Sequence, residues 1–419
     1  MLLENNSFPT DIRPRREAAA LLGDGWRVSC ISPRPSNTHS WQGVFEGVTV
    51  YYFPAPPELG GFLGYLVEYG YATFMMTLLT MWVLVRHGFD VLHVHNPPDT
   101  FFWLGALVRL LGKKFIFDHH DLSPEMYDAR NENGTGRKDG RPGNPIVRQV
   151  LVWCEVLTLR AANLIIATNG SYKQLEIERS GVPEDRIHIV RNGPDLATFH
   201  PVAPDPDLRA KAKTLLGYVG IMGPQDGVDY ALRALAHLRY TLGREDFFAV
   251  FIGKGEMLAE LKKLVVELKL EQHVLFTGRI AYADLLRYLS TVDICLGPDP
   301  GNPFTTRSTM IKMLEYMALH KPMVAFDLVE HRVSAGEAAL YAPANDEAAM
   351  AGLIQTLMDD PAQRVRMGEA GYDRIASGLA WPFQAERLLE AYHLLGVHAP
   401  QPKPYPQGLR SDLADPKVP

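Results

Sequence analysis

Short apolar runs alternate with longer segments of helical periodicity along almost the entire chain. The runs are rich in β-branched and aromatic residues and are too short for typical helices, which favours strands. In the first half the predicted strands are 27–32, 48–53, 91–95, 114–118, 164–168 and 187–192. In the second half they are 215–220, 247–253, 274–278, 293–297, 322–327 and 338–342.

Helical segments fill the intervals between these strands. The predicted helices include 99–111, 145–161, 227–241, 256–269, 281–290, 308–319 and 346–358. Asp99 follows two prolines and is predicted to be the N-cap of the first of them. Alternating strands and helices are typical of parallel sheets covered on both faces. The sequence therefore predicts an α/β protein with two doubly wound domains and a ligand crevice between them at the carboxyl ends of the strands.

The segment 193–213 is rich in proline, aspartate and alanine and contains no predicted strand, so we place the domain boundary there. The prediction is an N-terminal Rossmann-like domain over 1–197 and a C-terminal one over 198–378. Residues 379–397 are predicted to form a helix that packs back on the N-terminal domain. Two further segments are predicted to be loose: the glycine-rich 131–145, a mobile surface loop, and the proline-rich 398–419, a disordered tail.

Length and composition narrow the class of protein. A chain of 419 residues is too long for one compact core. Its formal net charge is −6, from 42 Lys and Arg against 48 Asp and Glu, which excludes a global attraction to nucleic acid. The cysteines Cys30, Cys154 and Cys295 are odd in number and form no CxxC pair, which predicts unpaired thiols in a reducing, cytoplasmic compartment. Residues 1–22 carry acids and an early proline, unlike a signal peptide.

Residues 69–85 form an uncharged apolar run between Glu68 and Arg86. A membrane-spanning helix needs about 20 such residues, so this run is short for a span. Two interpretations remain open: a helix packed within a domain, or one that also touches a membrane surface. The basic residues of the same predicted domain could support contact with the inner face of an anionic membrane, or they could be scattered solvated charges: Arg13, Arg15, Arg16, Lys113 and Lys114.

Two histidine clusters follow neighbouring predicted strands. The first is His93-Val-His95-Asn96 and the second is Asp118-His119-His120-Asp121. Histidines at strand ends can bond to the backbone, ligate a metal, or act as neutral polar groups in a ligand crevice. Adjacent strand residues point to opposite faces, which argues against all of them reaching one ion. The sequence therefore predicts no metal site. Instead, His120 or Asp121 would hydrogen-bond to a sugar hydroxyl or stabilise a transition state.

The segment 301–327 runs from a loop into a predicted helix that begins near Ser308 and Thr309. A helix start offers free N–H groups to a phosphate. Lys312 and Glu315 are three residues apart and lie on the same face of the helix. Lys312 could bind a diphosphate and Glu315 the hydroxyls of a ribose. Alternatively, the two residues could form an ordinary surface salt bridge. Glycines and basic residues also follow several strands of the second half: Gly220, Gly223, Gly253, Lys254 and Arg279.

The order of these pieces resembles the family 4 retaining glycosyltransferases of the GT-B fold, over residues 7–395. The matching pieces are FPTDIRPRREAAALLGDGWRVSCIS, DVLHVHNPPD, FDHHDLSPEMY, IVRNGPDLATFHP, GYVGIMGPQDGVDYALRAL, FIGKGEMLAEL, VLFTGRIAYADLLRYLSTVDICLGP and STMIKMLEYMALHKPMVAFD. The NPPD and HDLSPE variants are similar to members that build bacterial surface polysaccharides and O-antigens.

The resemblance implies sugar transfer with retention at the anomeric carbon, without a metal or another cofactor. The donor would be a UDP or GDP sugar bound by the C-terminal domain. The acceptor would be a glycan or a lipid-linked molecule bound by the N-terminal domain. His120 matches the catalytic-site histidine that contacts the donor sugar, and Glu315 the ribose-binding second glutamate of an E-x7-E motif. The other predicted donor-binding residues are Gly220, Gly223, Gly253, Lys254, Arg279, Arg307, Ser308, Thr309 and Lys312. The acceptor-side candidates are Asp99, Asp121 and Glu125.

Three positions in two segments depart from the family pattern. Arg307 stands where the first glutamate of E-x7-E belongs, so the donor sugar does not carry over. Ile221 and Asp226 stand where many members have basic residues for the diphosphate. The departure favours one alternative, a nucleotide-binding relic without activity. The other alternative is a metal-dependent hydrolase that uses the histidine clusters.

Overall fold

The computed structural model describes residues 1–4, 6–35, 38–55, 61–132 and 144–397, with the side chains of 61–66 and 130–132 excluded. The chain forms two compact units, and its main passage from the first to the second lies between Arg191 and Asn192, while the described residues 127–132 also group with the second unit. It returns to the first unit between Gln384 and Ala385. The sequence predicts these transitions at 197/198 and 378/379. The predicted tail 398–419 and most of the predicted loop 131–145 lie outside the described residues.

The first unit contains a mostly parallel sheet. Its strands are β1 (Ser29–Pro33), β2 (Gln42–Phe45), β3 (Val48–Phe53), β4 (Val91–His95), β5 (Lys114–His119), β6 (Leu164–Ala167) and β7 (Ile187–Ile189). They are ordered β2-β3-β1 and β4-β5-β6-β7, and only β2 runs antiparallel. Leu2 joins the two groups, because its N–H donates to the His93 carbonyl at 2.9 Å while Leu3 N–H donates to Ile31 at 3.0 Å.

The sequence analysis did not predict two strand segments that the structure contains. Leu2 pairs with Ile31 and Val94 as a short bridge, and two apolar residues are too brief a pattern to predict. The strand β2 is the edge partner of β3 across a two-residue turn, in which Glu46 and Gly47 both have positive φ angles. Such a turn matches the twist of a hairpin, and an acidic-Gly pair between apolar residues was its signal.

Helices cover this sheet. They are α1 (Ile12–Gly23), α2 (Gly61–Arg86), α3 (Phe102–Leu110), α4 (Ser123–Glu132), α5 (Pro145–Ala161) and α6 (Gly170–Ser180). Side chains cap several of them: Asp11 accepts from Arg13 N–H at 3.2 Å, and Asn144 accepts from Ile146 N–H at 2.9 Å. The predicted cap of α3 by Asp99 is wrong. Phe101 holds the cap position without a side-chain bond, because the Asp99 carboxylate accepts instead from the Asn96 amide.

The run 69–85 lies inside α2, which is 26 residues long. Among the helices of the described residues, none is both long enough and apolar enough to span a bilayer.

The second unit is a doubly wound domain with one parallel sheet. Its strands are β8 (Thr214–Val219), β9 (Phe247–Ile252), β10 (Val274–Gly278), β11 (Ile294–Gly297), β12 (Met323–Phe326) and β13 (Ala339–Ala342). Their order is β10-β9-β8-β11-β12-β13, so the winding reverses between β8 and β11. Ligands bind such sheets at the carboxyl ends of the strands beside this reversal.

Nine helices of the described residues accompany this sheet. They are α7 (Pro206–Arg209), α8 (Val228–Ala236), α9 (Leu258–Glu267), α10 (Tyr282–Thr291), α11 (Ile311–Ala318), α12 (Val329–Ala335), α13 (Glu347–Asp359), α14 (Pro361–Arg374) and α15 (Trp381–Leu394). The last helix leaves the second unit, and its Leu388, Ala391 and Tyr392 pack in the first unit's core with Leu3 and Trp26.

The central strands of the second unit are buried along their full length, and β4 and β5 of the first unit are buried except at their first residue. Every residue of β8 and of β11 is buried, as expected for parallel strands covered on both faces. Apolar clusters fill both sides of the second sheet, one containing Tyr218 and Phe251 and the other containing Val219 and Tyr316. The predicted α/β class with two Rossmann-like domains is confirmed.

The loops after β8 and β9 touch each other through two glycines. Gly220 and Gly253 have φ angles of 153° and 135°, which are unfavourable for other residues. A Cβ on Gly253 would lie 1.9 Å from the Gly220 carbonyl oxygen. Glycine is therefore required at position 253 by backbone contact between the two loops.

We expect Gly253→Ala to destabilise the second unit by on the order of 2 kcal/mol, because the loops must separate and the backbone is strained. Thermal unfolding by differential scanning calorimetry would measure this as a lower Tm. Gly352→Ala is the matched control, since a Cβ there meets nothing within 4 Å and alanine favours the helix. A variant at 253 with the wild-type Tm would contradict the steric assignment.

Candidate active site

The carboxyl ends of β8 and β11 hold a buried ion pair. Asp299 follows β11, is fully buried, and accepts a 2.6 Å hydrogen bond from Lys312 Nζ on α11. His331 Nε2 lies 3.5 Å from the other Asp299 oxygen. Burial opposes ionisation of Asp299, but Lys312 and His331 hold the pKa of this carboxyl below its usual value. The pair is therefore charged at neutral pH.

Lys312 has further partners in the same place. Its ammonium lies 3.4 Å from the Tyr218 hydroxyl and 4.8 Å from the centre of that ring. Asp226 is 3.9 Å away. Burial would lower the pKa of Lys312, but Asp299 and Asp226 raise it. Two carboxylates thus offset the charge that the sequence assigns to a diphosphate, and that role of Lys312 stays a prediction.

The predicted helix start at Ser308 is wrong, because α11 begins at Ile311. Residues 302–308 turn instead: the N–H of Ser308 donates to the Phe304 carbonyl at 3.1 Å, and its hydroxyl does so at 2.8 Å. Thr309 Oγ1 donates to Glu330 at 3.2 Å. The N–H group of Ser308 is therefore engaged within this turn. The asparagine-proline pair in Gly-Asn-Pro-Phe was the available signal for it.

The other predicted donor residues lie in the loops after β8, β9 and β10, in the loop before α11 and on α11. Gly223 N–H donates to Asp226 Oδ2 at 3.0 Å, which explains an acid where the family pattern has a basic residue. Arg307 donates to the Pro303 carbonyl at 3.1 Å. Glu315 is half-buried on α11. Lys254 and Arg279 follow the adjacent strands β9 and β10, and both side chains are exposed.

A second buried cluster lies in the first unit. Arg13 on α1 makes two bonds to Asp118 on β5, from Nε at 2.8 Å and Nη2 at 2.9 Å. Arg13 Nε is also 3.2 Å from Glu17. His95 Nδ1 lies 3.1 Å from Asp118, and His93 Nδ1 bonds the Tyr392 hydroxyl at 2.8 Å. This cluster ties α1, β4, β5 and α15 together.

Burial determines the protonation of this cluster. Burial and the neighbouring His93 ring lower the pKa of His95 to about 3, so the ring is neutral. Burial and the Asp118 charge raise the pKa of Glu17 well above its usual value. Burial opposes ionisation of Asp118 as well, but Arg13 keeps the pKa of this carboxyl well below its usual value. The cluster therefore contains one ion pair and a protonated Glu17.

This cluster can be tested as a metal site. Glu17, His93, His95 and Asp118 bring candidate ligand atoms within 4.8 Å of one another. His93 and His95 are two residues apart, so both side chains lie on the same face of β4. Alternation of side chains along the strand therefore does not prevent these two histidines from reaching one ion. Their rings, however, stack 4.5 Å apart at 16°, so their lone pairs run side by side rather than towards one ion. With Arg13 in the cluster, the geometry favours a hydrogen-bonded network.

The second predicted cluster divides between two faces of β5. His119 lies between Glu176, 2.8 Å from its Nδ1, and Glu155, 3.3 Å from its Nε2. Burial opposes its charge, but the two carboxylates raise the pKa of His119 well above the usual value. Glu155 also accepts from Arg179 at 2.7 Å. His119 is therefore a structural imidazolium within the core.

His120 lies at the carboxyl end of β5 and remains partly exposed. Its backbone N–H donates to Asn96 Oδ1 at 2.8 Å, and the Nδ1 atom of its ring lies 3.8 Å from Asp121 Oδ2. Asn96 also donates to Asp99 at 2.9 Å and to the Asp121 carbonyl at 2.6 Å. One asparagine thus fixes the ends of β4 and β5, which positions the His120 ring.

Asp11 is a residue that the sequence prediction missed. Burial raises the pKa of its half-buried carboxyl, although the nearby His120 and Arg13 act in the opposite direction. The carboxyl of Asp11 therefore interacts electrostatically with His120. The segment Phe8-Pro9-Thr10-Asp11 belongs to the first of the pieces that resemble the family, but the sequence analysis assigned Asp11 no role in the site.

The acceptor-side candidates differ in environment. Asp99 is buried, and burial raises its pKa to about 6. Asp121 is half-buried beside His120. Glu125 is buried and forms an ion pair with Arg179, so its charge is already offset within the domain.

Two family models match the chain. The model "Glycosyl transferase 4-like domain" matches residues 12–193, and "Glycosyl transferases group 1" matches residues 213–360. The chain belongs to the group 1 glycosyltransferases of family GT4. It is therefore a transferase enzyme, and the predicted family is confirmed.

Curated relatives of this glycosyltransferase have different substrates in their names. Glycogen synthase of Mycobacterium tuberculosis is 25% identical over 410 residues, which cover 92% of this chain and 91% of the relative. D-inositol 3-phosphate glycosyltransferase of Kineococcus radiotolerans is 28% identical, over 73% of this chain and 72% of the relative.

Solved structures share the GT-B architecture. Sucrose-phosphate synthase from Thermosynechococcus elongatus superimposes with a TM-score of 0.76 at 20% identity, covering 94% of this chain and 95% of the other. HepE of Anabaena, in complex with UDP and glucose, has a TM-score of 0.66 at 16% identity, over 94% and 99% of the two chains. At these identities the likeness establishes the fold.

The Arg13–Asp118 network of the glycosyltransferase gives a stability prediction. Asp118→Asn removes the carboxylate that makes two hydrogen bonds to the buried Arg13 charge, which we expect to lower the free energy of unfolding by about 3–5 kcal/mol. Glu17→Gln replaces a protonated carboxyl by a neutral amide of similar shape, so at neutral pH it should cost far less. Urea unfolding of both variants measures the difference, and equal losses would contradict the protonation assigned to Glu17.

The pH dependence supplies a second check on the same pair. The folded state holds the Glu17 proton more tightly than the unfolded chain, so wild-type stability falls as pH rises from the ordinary pKa of 4.5 towards the raised folded value. Glu17→Gln removes this loss. Its free energy of unfolding relative to wild type should therefore increase with pH over that range.

Proposed function

We propose that this glycosyltransferase transfers a sugar from a UDP or GDP sugar to a glycan or lipid-linked acceptor in polysaccharide biosynthesis, with retention at the anomeric carbon. Family membership of both domains supports the reaction class. The observation that carries the donor assignment is the strand order of the second unit, whose reversal between β8 and β11 gathers Asp299, Lys312 and the flanking loops. We assign the nucleotide to this place.

The chemistry asks the protein to stabilise charge on a leaving nucleoside diphosphate. Preorganised positive groups and N–H donors do this without a protein nucleophile when the acceptor attacks from the leaving-group side of an oxocarbenium-like transition state. We assign contact with the transferred sugar to His120. The hydrogen bond from the backbone N–H of His120 to the Asn96 side chain holds this residue in place. We favour two acceptor-side groups: Asp121, whose carboxylate lies 3.8 Å from the His120 ring, and Asp11, whose carboxyl interacts electrostatically with His120. We propose that transfer needs no metal.

The diphosphate requires positive charge at an accessible position. Because Asp299 and Asp226 offset Lys312, we assign the phosphates to the exposed Lys254 and Arg279, together with Arg307. The free cysteines Cys30 and Cys295 are buried thiols, which supports the proposed cytoplasmic setting. A lipid-linked acceptor would require the protein to reach a membrane surface.

The phosphate assignment can be measured by isothermal titration. We expect Lys254→Gln and Arg279→Gln each to weaken binding of the nucleoside diphosphate by about tenfold, equivalent to roughly 1.4 kcal/mol. Binding of the unphosphorylated nucleoside should be unchanged, because it has no charge to lose. Lys263→Gln is the control, since Lys263 is exposed on α9 and pairs with Glu260. Equal loss for nucleoside and diphosphate would contradict the assignment.

The ribose assignment of Glu315 has its own test. Glu315→Ala should weaken the nucleoside and the nucleoside diphosphate by the same factor, about tenfold, because the ribose is common to both. Glu369→Ala, at an exposed glutamate of α14, is the control. Lys312→Met combined with Asp299→Asn removes the buried pair together and avoids an unpaired charge. Unchanged affinity in both Glu315→Ala and this double variant would remove α11 from the donor site.

A nucleotide-binding protein without transfer activity is the second candidate. The observation that favours it is the excess of carboxylate around Lys312, where Asp226 and Asp299 meet one ammonium. A screen of UDP and GDP sugars for nucleotide release distinguishes the two. Release that depends on acceptor and falls in His120→Ala supports transfer, while binding without release in every combination supports the second candidate.

A further inference from the structure

Three helices of the first unit expose apolar side chains where a water-facing helix is normally polar. Nearly half of the large exposed apolar side chains of the described residues lie on or directly after α2, α3 and α5. They are Val67, Phe74, Leu78, Trp82 and Val85 from α2, Trp103, Leu110 and Leu111 from α3 and its end, and Ile146, Val150, Trp153 and Leu157 from α5. We call this set the α2–α3–α5 face.

The spacing on α5 shows that the exposure is systematic. Ile146, Val150, Trp153 and Leu157 recur at helical intervals of four, three and four residues, so they form one stripe. Their exposed fractions are 72%, 47%, 62% and 44%. The opposite side of the same helix carries the buried Glu155 that bonds Arg179. The apolar stripe is therefore the solvent side of a helix whose other side already packs in the domain.

Direct contacts join the three helices. Thr73 on α2 and Thr100, just before α3, share a 2.7 Å hydroxyl hydrogen bond. Arg109 on α3 donates to the carbonyl of Ala161 at the end of α5 at 2.7 Å. Trp103 closes a groove of about 410 Å³ against α2. The exposed residues thus belong to one neighbourhood, and contiguous apolar patches of this kind mark interaction sites.

The exposed charges of the three helices are of one sign, while their acids Glu68 and Glu155 are half-buried and buried. In the described part of the three helices, the exposed charged side chains are Arg86, Arg109 and Arg160. Arg109 and Arg160 donate to the backbone carbonyls of Ala161 and Ser180, which leaves their positive charge in place. The chain as a whole carries a net charge of −6. The face is therefore basic on an otherwise acidic protein, which is complementary to an anionic surface.

Tryptophan is concentrated here as well. Trp82, Trp103 and Trp153 are three of the six tryptophans of the chain, and all three are exposed. Tryptophan prefers the boundary between lipid headgroups and hydrocarbon, where its ring is buried and its N–H stays wet. Apolar side chains, tryptophans and arginines on helices that lie along a surface are the features of interfacial membrane binding.

We propose that the α2–α3–α5 face docks on the surface of an anionic lipid bilayer, with the groove beside Trp103 open to acyl chains. A second copy of the chain fits the face less well, because a two-fold contact sets each patch against itself and brings Arg109 and Arg160 towards their own copies. The docking does not depend on the proposed reaction, since it needs neither donor nor acceptor.

The apolar run 69–85 contributes to this face, but its basic residues differ from those that the sequence suggests. Arg13 is buried in its pair with Asp118 and does not reach a membrane. Arg15 pairs with the exposed Glu46, which offsets its charge. The membrane contact therefore falls on α2, α3 and α5.

Co-sedimentation of the full chain with vesicles tests the docking. We expect binding to vesicles in which a third of the phosphatidylcholine is replaced by phosphatidylglycerol, weaker binding at high salt, and little binding to pure phosphatidylcholine. The double variant Val150→Ser and Trp153→Ser should lose at least tenfold in partitioning. Val365→Ser, at an exposed valine of α14 in the second unit, should bind as wild type does. Trp103→Ser is a second, independent variant, and circular dichroism melting confirms that each variant is folded.

Three results would overturn the proposal. One is the absence of pelleting with anionic vesicles at low salt, and another is equal pelleting of wild type and both face variants. The third comes from light scattering: a wild-type dimer that the double variant converts to a monomer, without vesicle binding, would assign the face to self-association. Because no nucleotide or sugar is present, loss of vesicle binding and failure of the proposed transfer reaction remain separate outcomes.

Discussion

A buried ion pair at the carboxyl end of a parallel sheet is the constraint on which each domain depends. In the first domain Arg13 on α1 meets Asp118 on β5, and in the second Lys312 on α11 meets Asp299 after β11. Removing such charges from water is costly, and only close pairing with further hydrogen bonds offsets the cost. Each pair therefore specifies one position of its helix against the sheet.

This constraint divides the polar residues of the site into two groups. Groups that are buried, such as His119 between Glu155 and Glu176, have partners within the domain and stabilise the fold. Groups at the strand ends that keep some exposure, such as His120, are available to a substrate. The same division separates Lys312 from Lys254 and Arg279. The chemistry proposed for this glycosyltransferase thus depends less on which charged residues are present than on which of them remain exposed.

The α2–α3–α5 face follows the opposite rule. Its arginines are exposed, and its apolar side chains remain exposed among the described residues of the domain. The inner sides of these helices pack normally: Thr158 on α5 donates to the Asp99 carbonyl at 2.7 Å. A domain that stabilises itself through buried pairs can present such an outer face without losing its fold, which leaves the face free to meet a membrane.

The amino-acid sequence by itself determined the α/β class, the two Rossmann-like domains and the position of nearly every strand. Apolar runs such as Val91–His95 and Val274–Gly278 are local patterns, and buried parallel strands need little more to be recognised. The family resemblance, built on motif order, was sufficient to predict a group 1 glycosyltransferase. Helix ends were less secure, as the shift of α11 to Ile311 shows, because side chains of the preceding loop compete for the cap.

Only the tertiary structure decided which polar residues meet. Arg13 and Asp118 are far apart in the sequence, and nothing local indicates that they form a pair or that the pair removes Arg13 from the surface. The same holds for Asp299, which the sequence did not single out and which binds the lysine predicted for a phosphate. Long-range pairing and burial set the charge of a group, and both depend on how the chain folds back on itself.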